Sequence, residues 1–158
     1  MKKQFIFNVA QYIRLSREDG DKLESDSIIN QKKLIDNYLN GKAEFSLYDT
    51  YIDDGFTGTN FCRPSFQRMI QDIEAGNVNC VIVKDLSRFG RDYIETGKYL
   101  ERYFPEKEVR FIALTDNIDS MKQAYDMLLP IKNIFNEQYA RDISKKVHAS
   151  IITKQRNG

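Results

Sequence analysis

Along the chain, short apolar runs alternate with segments whose apolar residues recur every third or fourth position. Runs near 5–15, 45–52, 79–84 and 109–114 have the length of strands, and two of them, "FSLYDTYIDD" and "NCVIVKD", end in acids. Between them, "DSIINQKKLIDNYLNG" (26–41), "RPSFQRMIQDIEAGN" (63–77) and "RDYIETGKYLERYFPEKE" (91–108) carry apolar residues at helical spacing. Gly41 and Gly76 stand where helices stop, and Pro64 suits a first helical turn. Strand alternating with helix predicts an α/β domain with a mostly parallel central sheet, flanked by helices, with its site at the carboxyl ends of the strands.

The tail follows another rule. From Pro130 to about Ile152, Ile131, Ile134, Phe135, Tyr139, Ile143, Val147 and Ile151 predict one long C-terminal amphipathic helix, more than a domain of this size needs for itself. Its last third is basic, with Arg141, Lys145, Lys146, Lys154 and Arg156 against Asp142. Residues 1–129 are therefore expected to form the core and 130–158 an extending helix. Its first half should pack on the core and the rest should offer an apolar stripe to a second copy.

Composition adds bounds rather than identity. The 158 residues make one domain, and 41% apolar with 30% charged residues is a globular balance. No apolar run approaches the roughly 20 residues that span a bilayer. Cys62 and Cys80 give neither a disulfide framework nor zinc spacing, as expected of thiols in a reducing cytoplasm. A net charge of +1 argues against coating nucleic acid all over but allows a local basic site.

The candidate chemistry begins at "YIRLSRED". Tyr12, Arg14 and Ser16 are spaced by two, which puts them on one face of a strand. Ser16 also stands three residues before Asp19, so a helix N-cap is the alternative reading. Arg88 and Arg91 in "LSRFGRD" follow another strand and lie side by side on a helical turn. The loop "YIDDGFTGTNFCRP" adds Asp53, Asp54, Thr57 and Arg63, without a Walker A lysine pattern. Four arginines beside one serine form a constellation suited to phosphate, because guanidinium groups bind phosphate oxygens bidentately and stay charged. The single histidine, His148, is far down the last helix, which argues against a Ser–His–Asp triad. Adjacent Asp53 and Asp54 face opposite ways when extended, a poor start for a metal site. A serine attacking phosphorus, with arginines stabilising the transferring group, is what these residues leave.

Three motifs in order, "YIRLS", "YIDDGFTGTNFCRPSF" and "VKDLSRFGRD", resemble the catalytic domain of serine recombinases, the resolvase–invertase family. "ESDSIINQ" and "NEQYARDISKK" are most similar to the large members carried by transposons and other mobile elements. The resemblance implies a resolvase-like three-layer fold and a site-specific DNA recombinase that cleaves and rejoins strands without metal, ATP or other cofactor. Ser16 would be the nucleophile that forms a 5′-phosphoserine, with Arg14, Arg63, Arg88 and Arg91 around the phosphate. Tyr12, Asp53, Thr57 and, on the first helix, Gln31 would support it. Double-stranded DNA, a homodimer and a synaptic tetramer are the implied partners. Ile134, Phe135, Tyr139, Ile143 and Val147 would form the dimer interface, and the basic end of the helix would meet DNA. Two positions depart from the family pattern: Ser87 stands where many members have aspartate, and Tyr139 where resolvases carry a glutamate, with Glu137 two residues earlier. Arg14, Arg88 and Arg91 are expected to be exposed and to matter little for stability. No DNA-binding domain is recognisable in the chain, which is read as a fragment of a longer recombinase. A non-catalytic regulatory or assembly module on the same fold is the alternative.

Overall fold

The computed structural model describes the backbone of residues 4–15, 27–123 and 128–157, and side chains for the same residues apart from 128 and 155–157. β1 (Phe7–Leu15) is the spine of a five-stranded sheet. β2 (Phe45–Asp54) lies parallel to it on one side and β3 (Cys80–Val83) on the other. β4 (Arg110–Ala113) continues the parallel order, and β5 (Ile118–Asp119) closes the edge antiparallel, giving β2-β1-β3-β4-β5. The alternation of strand and helix does produce the predicted mostly parallel α/β sheet. β5 is additional: Asn117, at φ 55°, turns the chain back, and Arg110 grips Asp119 with two hydrogen bonds of 3.0 and 2.7 Å.

One irregularity in the sheet decides what the site contains. Val9 pairs with Leu47 but Ala10 with Asp49, so Tyr48 is an extra residue in β2. Beyond this bulge Tyr12 pairs with Tyr51 and Arg14 with Asp53. Without it, Asp53 would pair with Leu15 and point to the opposite face, since a one-residue slip reverses every side chain.

The face carrying Ala10 and Tyr12 is covered by α2 (Pro64–Glu74), whose Phe66, Met69 and Ile73 are buried there. It is also covered by the chain after β3. That chain runs through α3 (Leu86–Phe89), α4 (Tyr93–Lys98), a π-helical turn at Tyr99–Tyr103 and α5 (Phe104–Glu106). The single helix expected over 91–108 is thus segmented, and Pro105, which has no N–H to donate, lies just past the π turn. Phe89 is the centre of this layer, with the rings of Phe61, Phe66, Tyr99, Phe104 and Phe111 within 5.1–5.9 Å. The opposite face packs Val9, Cys80, Ile82 and Ile112 against Ile35 of α1 (Ile28–Leu39), which Ser27 caps through the Asn30 amide.

α6 (Leu128–Asn157) starts two residues before Pro130 and outlasts Ile152. Pro130 sits in the first turn, where an absent N–H costs nothing. At 1.5 Å per residue the helix is about 45 Å long. Ile131 is buried, and Ile134 and Phe135 pack against the core, so these two proposed interface residues are largely engaged by their own domain. Tyr139, Ile143, Val147 and Ile151 are exposed. The reason is geometric: a row of residues four apart drifts by about 40° per step on a 3.6-residue helix, so the stripe winds away from the domain. No described helix is long and apolar enough to cross a membrane.

Phe89→Ala should reduce unfolding free energy by about 3–5 kcal/mol, the usual cost of deleting a fully buried ring. Urea denaturation followed by far-UV circular dichroism measures it.

Candidate active site

Tyr12 Oη donates to Asp53 Oδ2 at 2.8 Å and accepts from Arg63 Nη1 at 2.8 Å. Asp53 also accepts the Ser65 and Phe66 amides at 2.9 and 3.0 Å, so a carboxylate on β2 caps α2, whose own N-cap residue, Arg63, provides no side-chain cap. Arg63 instead donates to the carbonyls of Asn60 (3.0 Å), Phe89 (2.6 Å) and Arg88 (3.5 Å). Its guanidinium carbon lies 4.7, 5.0 and 5.5 Å from the rings of Phe61, Phe66 and Tyr12. Burial raises the Tyr12 phenol above its ordinary value, Arg63 pulls it back and Asp53 adds to the rise, so Tyr12 remains a proton donor. Burial pulls the Arg63 guanidinium down, against the upward effects of Tyr12 and Asp53. A guanidinium starts so high that it stays charged.

Arg14 makes a second layer. Nε donates to the Arg88 carbonyl at 3.3 Å, Nη1 to that of Phe56 at 3.0 Å and Nη2 to that of Ser87 at 2.6 Å. Arg88 returns the contact, Nη1 donating to the Arg14 carbonyl at 3.3 Å, and Gln31 of α1 donates to the same oxygen at 3.2 Å. β1, the loop after β2 and α3 are thereby held at one point. Two of the arginines expected to be exposed are not: Arg14 is 0% exposed and Arg88 4%, and Arg63 is buried with them at 0%. Carbonyls converge on them from three chain segments, which draws them inward.

Arg91 differs. It is half-buried, its amide donates to the Gly58 carbonyl at 2.7 Å, and it lines an open groove of about 580 Å³ with half-buried Ser87. The far wall of this groove is α6, through Asn136, Tyr139, Arg141, Asp142 and Lys145. Two of the predicted basic residues therefore share a groove with a predicted catalytic one. Lys146 and Lys154 are exposed elsewhere on the helix. Thr57 does not join the arginine layer; its hydroxyl lies 3.1 Å from that of Thr59. Ser16 lies outside the described residues, as does the side chain of Arg156. The strand leading to Ser16 is well held, the Gly55 amide donating to the Leu15 carbonyl at 2.6 Å.

Residues 9–158 match the family model described as the resolvase N-terminal domain. The chain belongs to this family, the catalytic domain of serine recombinases. The structure is similar to the N-terminal catalytic domain of TP901-1 integrase, at TM-score 0.68 and 31% identity, covering 86% of this chain and 98% of that one. A resolvase family site-specific recombinase from Streptococcus pneumoniae aligns at TM-score 0.60 and 26% identity over 95% of this chain and 99% of its own. The C-terminal catalytic domain of ISC1926 TnpA, an IS607-like serine recombinase, shares the fold at TM-score 0.56, with 18% identity over 96% and 99% of the two chains. Among curated protein sequences there is no significant match.

In this resolvase-family domain, the departure at Ser87 has a local counterpart. Asp85 caps α3 by accepting the Arg88 amide at 3.2 Å and also accepts the Ser87 hydroxyl. Asp116, from the turn before β5, accepts the Leu86 amide at 2.6 Å. Burial leads the rise of the Asp116 carboxyl above its ordinary value, with Asp85 and Glu137 adding to it and Arg141 opposing. These two carboxylates fix the helix that bears Arg88, and neither was singled out from the sequence. The cap at Asp85 was readable in "KDLSR"; the long-range bond from Asp116 was not.

Removing Arg63 leaves Tyr12, Asn60 and Phe89 without a donor, so Arg63→Ala should cost about 3–5 kcal/mol of stability, as when one member of a buried charged network is deleted. Arg91→Ala, at a half-buried side chain that lines the groove, should cost less stability than Arg63→Ala. Thermal and urea unfolding of the two variants checks the contrast.

Proposed function

We propose that this domain cleaves and rejoins DNA for site-specific recombination, in transposon or phage integration and excision or in inversion, through Ser16. The observation that carries the reading is the convergence of Arg14, Arg88 and Arg91 at the carboxyl ends of β1 and β3, beside the point where the chain leaves β1 toward Ser16. In the proposed step the Ser16 hydroxyl loses its proton and attacks phosphorus. An O5′-side phosphoserine bond forms as the bond to the 3′ oxygen breaks, and that oxygen leaves as a 3′ hydroxyl. Rejoining is the reverse: a 3′ hydroxyl attacks the phosphoserine and Ser16 regains its proton. One ester replaces another, so no ATP, metal or other cofactor is called for.

Roles divide by exposure. Arg91, facing the groove, is assigned to the phosphate directly. Arg14 and Arg88 supply fixed positive charge beneath it. Arg63, Tyr12 and Asp53 are positioning residues, and Gln31 holds the Arg14 backbone. The groove suits a DNA backbone strand passing between α4 and α6, with Arg141 and Lys145 as phosphate contacts and Lys146, Lys154 and Arg156 continuing the basic track. Exposed Tyr139, Ile143 and Val147, with Ile134 and Phe135 at the near end, would pair two copies, and two dimers would form the synaptic tetramer. A cytoplasmic location follows from the DNA substrate.

Duplexes carrying a 3′-bridging phosphorothiolate trap the covalent step, because the released 3′ thiol attacks the phosphoserine poorly and the cleaved strand is not resealed. The wild-type chain should form an adduct whose peptide map ends on Ser16, Ser16→Ala none, and Arg91→Ala about 10²–10³-fold less, the cost of a lost transition-state donor. An adduct that survives Ser16→Ala would exclude Ser16 as nucleophile. Sedimentation velocity should detect self-association that rises with concentration and is lost in Ile143→Glu.

A further inference from the structure

We propose that Gly58 is a positioning residue for Arg14 and Arg91, its missing side chain setting how closely the two arginine chains approach each other. The inference rests on the phosphodiester-cleaving reading of the site. Gly58 is buried between them. A Cβ built on it would lie 2.9 Å from Arg14 Nη2, 2.9 Å from Arg91 Cγ and 3.1 Å from Arg14 Cζ. Gly55 needs glycine for its backbone, at φ +85°, with nothing within 4 Å of its Cβ position; Gly58 is not in the left-handed region. At Gly58 the requirement is space.

Neither neighbour of Gly58 can withdraw freely. The Gly58 carbonyl accepts the Arg91 amide at 2.7 Å, and the Phe56 carbonyl two residues earlier accepts Arg14 Nη1 at 3.0 Å. Moving the loop away lengthens both bonds. Moving Arg14 breaks its 2.6 Å bond from Nη2 to the Ser87 carbonyl. On the Arg91 side the groove that this residue lines leaves room for a side chain to shift. A methyl at residue 58 therefore pushes Arg91 first, and displacement at Cγ is carried out to the guanidinium. Placement errors of about 1 Å at a reacting centre can cost around 10²-fold in rate.

The test is Gly58→Ala, with Gly97→Ala as control, since nothing lies within 4 Å of a Cβ at Gly97. A crystal structure of Gly58→Ala should have the Arg91 side chain displaced from its wild-type position, with Gly97→Ala unchanged. In the phosphorothiolate assay, Gly58→Ala should lower adduct formation about 10–100-fold. In the Arg91→Ala background the same change should add less than about threefold, because residues acting through one contact are not additive. Unmoved arginines, or a full additional loss in the Arg91→Ala background, would overturn the proposal. If Gly58→Ala does not fold, Arg91→Ala, which removes Cγ, should restore folding; failure to restore it counts against the proposal equally. If the wild-type chain forms no adduct, the functional reading fails, while the crystal structures still decide the role of Gly58.

Discussion

The Arg14 guanidinium, donating to the carbonyls of Phe56, Ser87 and Arg88, is the interaction on which the rest of the site depends. Hydrogen bonds with a charged partner are each worth about 1.5–3 kcal/mol, and here they join segments more than 70 residues apart in sequence. Backbone carbonyls are good acceptors for this purpose, because they are fixed by β1, α3 and the loop after β2 rather than by flexible side chains. A buried cation is costly unless its donors are satisfied. The satisfied guanidinium therefore constrains the loop and α3 to one relative position.

A second buried network sets the depth of the first. Arg63 shares the Arg88 carbonyl with Arg14, and connects through Tyr12 to Asp53, which caps α2. The bulge at Tyr48 is what lets Asp53 take part, by turning it onto the Tyr12 face. Sheet register, helix capping and arginine placement are in this way one problem. Above them sits Arg91, the arginine that faces the groove shared with Arg141 and Lys145 of α6. The site thus keeps Arg14, Arg63 and Arg88 in a rigid layer and presents Arg91 on top of it. The segment that carries Ser16 leaves from that layer.

Much of the fold was legible because its signals are local. Runs such as "NCVIVKD" and the helical spacing in "RPSFQRMIQDIE" gave the alternation, and with it the parallel sheet. The two-residue β5 has no periodicity to read, and depends on Asn117 and on the Arg110–Asp119 pair. The segmentation of 91–108 was marked only by Pro105. In the site, Arg14, Arg63, Arg88, Tyr12, Asp53 and Gln31, taken from motifs far apart in the chain, lie within one hydrogen-bonded cluster. Their burial was not legible, because residue type favours an exposed arginine and only the three-dimensional convergence of carbonyls overrides that preference. The extra residue in β2 was equally hidden, since "LYDTY" reads as an ordinary strand. On α6 the four-residue spacing of the apolar stripe was visible, and its drift around the helix explains why Ile131 is buried while Tyr139 is 70% exposed.

Hydrogen exchange of the arginine Nε–H groups, followed by ¹⁵N NMR, tests the buried layer most directly. Arg14 and Arg63 Nε–H groups, bonded to the Arg88 and Asn60 carbonyls, should exchange only through opening of the fold and respond to denaturant as core amides do. The exposed Arg141 should exchange orders of magnitude faster. An Arg14 Nε–H that exchanges as rapidly as that of Arg141 would contradict the account.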